Sequence, residues 1–91
     1  MAALAPALAL GQVRRGFVGI IDGIRTDNAN AGIDHAEIER RLLELGFVEG
    51  EPVEVLHEGA FGRDPIAVRV HGMTIALRRR DAMAVMVRPA S

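Results

Sequence analysis

Three histidines and the carboxylates beside them are the residues whose types and spacing could do chemistry here. His35 and Glu39 stand four apart, so on a helix they share one face and offer an imidazole and a carboxylate to one divalent cation. His57 is followed by Glu58 at what reads as a strand end. His71 begins a hairpin after the next strand, and antiparallel pairing could set the two histidines near each other. Imidazole and carboxylate donors suit Zn²⁺ and Fe²⁺. The candidate metal ligands are therefore His35, Glu39, His57 and His71. A second copy of the chain could complete the coordination, making metal binding and homodimer formation one event. The competing account is that each is an exposed polar side chain without a partner.

Other chemistry is scarce. The chain has no Cys, which removes disulfides, thiolate metal sites and thiol catalysis together and fits a reducing compartment. It has no Tyr or Trp, its single Ser is the terminal Ser91, and no G-x-x-x-x-G-K-[ST] loop is present to cradle a phosphate. Most carboxylates fall on a helix's polar face or on strand exteriors, as solvated charges. Catalysis is not expected, and no cofactor is required. With a net charge of −1 and arginine as the sole basic residue, the chain lacks the positive excess that nonspecific nucleic-acid binding needs. The Arg78-Arg79-Arg80 run reads first as a solvated turn. Its second reading is a docking patch for an acidic surface or for lipid headgroups, although three arginines attract a membrane only weakly. Arg40 and Arg41 could extend that patch if the helix packs beside the turn.

Ninety-one residues allow one small domain. Apolar residues make up 49% of the chain but only three are aromatic, so Val, Ile, Leu, Met and Ala must build the core. Residues 1–10 (M-A-A-L-A-P-A-L-A-L) read as an apolar leader that packs its leucines on the domain edge or frays. The leader lacks the basic start of a secretory signal, and its length is about half of the roughly twenty residues that a membrane span requires. A cytoplasmic location is expected.

The stretch 33–55 carries the clearest elements. Asp34 is placed as an N-cap, with Glu37 three residues on to complete a capping box and Ile33 and Ile38 as a hydrophobic staple. Ile38, Leu42 and Leu45 make one apolar stripe, while Glu39, Arg40 and Glu44 face away. Gly46 supplies a left-handed stop, and Phe47 or Val48 can fold back on the last turn. A first strand is expected from Gly11 through Q-V-R-R-G-F-V-G-I-I, followed by a polar, mobile loop over 22–32. After the helix come a strand at 53–57, a glycine-rich loop at 59–65 and a strand at 66–71. A tight hairpin at Gly72 leads to an inward set of Met73, Ile75 and Leu77. The turn at 78–82 then precedes a last strand through Val85 and Val87. Five short strands and one helix in this length suggest a mainly β fold, a small bent sheet closed into a barrel.

The string R-R-L-L-E-L-G-F-V-E-G-E-P-V-E-V at 40–55 resembles the signature of FeoA domains, R-R-L-x-x-M/L-G-[FLI]-x-x-G-x-x-V-x-V. The match continues through Gly62, Asp64-Pro65-Ile66, Val68-Arg69-Val70, Gly72 and Ile75-Ala76-Leu77-Arg78-Arg79, and Gly11-Gln12 fits the family's opening G-Q. The resemblance covers roughly 8–88, with the domain itself expected over 11–89. It implies an SH3-like barrel of about five strands with the helix between the first and second. It also implies a part in bacterial ferrous iron uptake, as a small cytosolic partner of the membrane transporter FeoB, at the inner face of the membrane when bound. The same domain ends some metal-dependent repressors, so a regulatory domain or an Fe/Zn sensor acting on a repressor is the alternative. The docking residues would be Arg40, Arg41, Arg78, Arg79 and Arg80.

Overall fold

The computed structural model describes residues 7–26 and 34–90. Helix α1, His35–Glu44, starts and stops where its local chemistry requires. The Asp34 carboxylate accepts from the Ala36 amide at 3.0 Å, capping one orphan donor of the first turn. Glu37 engages Arg40 rather than reaching back to the Asp34 amide, so the second arm of the expected capping box is replaced by a side-chain pair. Ile33, the outer half of the expected staple, lies outside the described residues. At the other end the Phe47 amide donates to the Leu42 carbonyl and the Gly46 amide to that of Leu43, both at 3.0 Å. That pair of bonds is the Schellman stop, with Gly46 at φ 106° in the left-handed position. Phe47 is thereby turned inward and fully buried, whereas Val48 stays 44% exposed.

Six antiparallel strands form one sheet in the order β1-β6-β2-β3-β4-β5. They are β1 Leu8–Ala9, β2 Val18–Ile24, β3 Pro52–Phe61, β4 Asp64–Val70, β5 Met73–Leu77 and β6 Val85–Pro89. The mainly β class holds. The extra strand arises because Leu8 and Ala9 pair with Val87 and Met86. The helix thus follows the second strand in chain order.

Three boundaries depart from the sequence reading. The first long strand begins at Val18, because Leu10–Gln12 winds into a 3₁₀ turn that buries Leu10 and a second turn closes at Arg14–Phe17. The same strand runs on to Ile24, into the stretch read as loop; residues 27–32 of that loop lie outside the described ones. The glycine-rich stretch after His57 is a hairpin rather than a loop. Phe61 pairs with Asp64 around Gly62 (φ 67°) and Arg63 (φ 57°), the two positive angles of a type I′ turn. His71 (φ 52°) and Gly72 (φ 76°) repeat that turn between Val70 and Met73, where a hairpin was expected.

Alternation fills the core as the pattern requires. Val53, Val55, Ile66, Val68, Val70, Val85 and Val87 are buried with Ile21, Leu10, Phe47 and the Ile38 and Leu42 face of α1. Met73 breaks its set and is 56% exposed. The run after β5 forms one helical turn, α2 Arg79–Ala82, which packs against the 3₁₀ turn behind β1. The two ends of the strand order therefore meet through these turns, which close the barrel where no ladder joins β1 to β5 among the described residues.

Candidate functional site

His35 opens α1 and Glu39 follows one turn later, both exposed, as the spacing predicts. His57 lies inside β3 opposite Ala67, and His71 sits beyond Val70, which pairs with Val53. Register thus sets the two histidines four positions apart along the ladder, about 13 Å at 3.3 Å per residue, so pairing does not bring them together. His71 instead approaches Glu51, with Nδ1 3.7 Å from Oε1. No group of three or more His, Cys, Asp or Glu among the described residues could hold a metal ion. Zinc centres take three or four protein donors, and His35/Glu39 and His71/Glu51 offer two each. The described residues of one chain do not complete a site.

The His71–Glu51 approach lies at one end of a shallow groove of about 470 Å³ on the outer face of the sheet, bordered also by Val18, Pro52, Glu54 and Arg69. Arg69 stands 3.7 Å from Glu54, so the rim is a set of exposed opposite charges. A second slot, of about 30 Å³, lies between α1 and the end of β5, where Arg41 and Asp81 border Ile38, Leu42 and Leu77.

The five arginines expected to dock a partner divide sharply. Arg40 is committed to its own helix, bonding Glu37 and, at 3.1 Å, Glu44. That hydrogen bond and the adjacent charge hold the Glu37 carboxyl below the usual carboxylate range, and the same contacts raise Arg40. Arg41, Arg78 and Arg80 are exposed.

Arg79 is the exception. Its side chain is 18% exposed, and its Nη2 meets Glu58 at 2.6 Å. Nη1 donates to the carbonyls of Gly11 (3.1 Å) and Val13 (2.8 Å), Nε donates to the Arg63 carbonyl at 2.7 Å, and the backbone amide donates to Asp64 at 2.9 Å. One planar guanidinium therefore clasps the 3₁₀ turn, the β3–β4 hairpin and α2. Gly11 must be glycine for this approach, since a Cβ there would lie 2.4 Å from the Arg79 carbonyl oxygen. Arg79 is built into the fold, so the patch loses its central member.

Sequence reasoning missed the Arg79 clasp and the position of Phe61. This phenylalanine ends β3 at the hairpin tip and is 91% exposed. A lone aromatic inside G-A-F-G-R was the available signal.

A family model described as the FeoA domain matches residues 8–89. Among solved structures, the chain is similar to Stenotrophomonas maltophilia FeoA complexed with zinc, described as a prokaryotic SH3 domain protein. Identity is 31%, coverage is 91% of this chain and 89% of that one, and the TM-score is 0.69. An iron uptake regulatory protein, also named FeoA, is 25% identical over 91% of this chain and 97% of its own, with a TM-score of 0.70. A manganese-dependent transcriptional repressor in complex with manganese shares the fold at 23% identity and a TM-score of 0.76; the match covers 98% of this chain but only 39% of the repressor. Comparison with curated proteins gives no match. The family match from β1 to the end of β6, together with the SH3-like neighbours, places the chain in the FeoA family.

Proposed function

We propose that the chain is an accessory protein of bacterial ferrous iron uptake that docks on a FeoB-type transporter, at its cytoplasmic G domain or membrane part, and modulates transport. The observation that carries this reading is the FeoA match over 8–89. The S. maltophilia relative, described as a proposed activating factor of bacterial ferrous iron transport, supports it. The exposed charges support docking over turnover, because the groove at His71 and Glu51 holds paired solvent-facing groups and no nucleophile beside a base. Without Tyr or Trp, the surface lacks the aromatic groove by which SH3 domains grip proline-rich peptides. Docking then falls to the loops and exposed helix face. The test is ⁵⁵Fe²⁺ uptake in cells lacking this chain but retaining the transporter. Uptake should change and return with the reintroduced chain; uptake indifferent to the chain would remove the reading.

A second reading, a Zn²⁺ or Fe²⁺ sensor, draws on the zinc complex of the same relative. Since the described residues of one chain offer donors only in pairs, such a site would take the remainder from a second copy. Under this reading, titration with Zn²⁺ gives stoichiometric binding together with dimerisation, and His35→Ala or His71→Ala weakens both. Unchanged affinity in both variants removes these ligands. Action on a separate repressor rests on the shared fold alone, and capture of the bound partner distinguishes it from transporter docking.

A further inference from the structure

The tip of the β3–β4 hairpin carries one apolar side chain at its summit, with arginines around it that are unpaired among the described residues. Phe61, 91% exposed, is the most exposed large hydrophobic residue described. Beside it in the turn is exposed Arg63, whose carbonyl receives Arg79 Nε. The same Arg79 holds the carbonyls of Gly11 and Val13, which fixes the following Arg14 and Arg15 near this end, and it is flanked by Arg78 and Arg80. All five of these neighbouring arginines are exposed, and among the described residues none has a carboxylate partner. By contrast, Arg40, Arg69, Arg79 and Arg88 each meet a carboxylate. Of the acids at this end, Glu58 is engaged by the Arg79 side chain and Asp64 by its amide, which leaves Asp81 of α2 beside the five arginines. Among the described residues, five unpaired arginines thus gather beside a single unengaged acid in a chain whose net charge is only −1.

We infer that this apex docks on an anionic bilayer surface, with Phe61 entering the boundary between headgroups and acyl chains and the arginines on lipid phosphates. Charge complementarity demands an anionic partner. Shape selects the bilayer: Phe61 stands 91% exposed beside a two-residue turn, so the tip protrudes and inserts rather than receives. A fluid headgroup layer accepts such a wedge, and guanidinium forks bind phosphate oxygens two at a time. Where three arginines of one turn attract a membrane weakly, the fold gathers five from three segments around an aromatic residue. The inference does not rest on transporter docking, because it concerns lipid alone.

The chain has no Trp, so Phe61→Trp in the full-length protein gives a single fluorophore at the apex. Vesicles of phosphatidylcholine mixed with phosphatidylglycerol should shift its emission to the blue saturably, phosphatidylcholine alone should not, and added salt should reverse the shift. Adding Arg78→Gln and Arg80→Gln should weaken binding about fivefold for each arginine removed. In the otherwise native chain, Phe61→Ser should weaken co-sedimentation with anionic vesicles by about tenfold or more. All three positions are exposed, so circular dichroism should show an unchanged fold. No shift on anionic vesicles, or an equal shift on both lipids, overturns the inference. So does binding indifferent to the arginines. An emission shift produced only by the soluble G domain of the transporter would also overturn it, assigning the apex to an acid-rimmed protein pocket.

Discussion

Arg79 joins parts of the chain that no strand pairing connects. Replacing it with Ala would leave the half-buried Glu58 carboxylate without its cation and the Gly11, Val13 and Arg63 carbonyls without a donor. Stripping one partner from a largely buried ion pair costs about 3 kcal/mol or more, because the remaining charge is left uncompensated. We expect the Arg79→Ala variant to unfold at correspondingly lower urea, with Arg79→Lys recovering only part of the loss, since an ammonium cannot reproduce the guanidinium fork. Equal midpoints for wild type and Arg79→Ala would contradict the clasp. This role was not legible in the sequence. Arg79 looks identical to its neighbours there, and its partners are 15 to 68 residues away. The histidine pair fails on register: His57 faces Ala67 and Val53 faces Val70, so His71 falls toward the other end of the ladder.

At the scale of elements, what could be read was what is encoded locally. Asp34, the Ile38 and Leu42 stripe and Gly46 mark α1 within one short stretch, and the structure follows them from cap to stop. Gly46→Ala tests the stop. A Cβ at φ 106° is strained, and it would also lie 3.1 Å from the His71 Cβ, so the substitution should cost more than about 1 kcal/mol. Urea unfolding measures it, and a neutral result would mean that the helix ends by another route. The β3–β4 hairpin shows the opposite case. Gly59, Gly62 and Pro65 carry the composition of a loop, yet the strands run through Gly59 and Pro65 and leave only Gly62 and Arg63 to the turn. Gly59 sits where the register shifts, and a side chain there would meet the Asp64 carbonyl oxygen at 2.2 Å. Glycine there serves close approach of two backbones, which composition cannot distinguish from a loop. Leu8–Ala9 is too short for any alternation to reveal it.

At the scale of the described molecule, the barrel gathers its unpaired arginines around one hairpin tip. β3 runs from Pro52, beside Glu51, to Phe61 at the hairpin tip. Nine steps of extended chain allow these ends to lie at most about 30 Å apart. A surface that gathers unpaired arginines at one tip approaches an anionic partner in a preferred orientation, which suits a chain whose proposed work is docking. A mainly β barrel was accessible from strand spacing and its SH3-like class from the resemblance at 40–55, while the gathering of free arginines required knowing which of them the fold consumes. The most direct test of the transporter reading is a ¹⁵N NMR titration of the chain with the cognate transporter's soluble G domain and, separately, with the detergent-solubilised whole transporter. Saturable shifts or broadening confined to one face of the barrel are predicted in at least one titration. Spectra unchanged by both would contradict docking on the transporter.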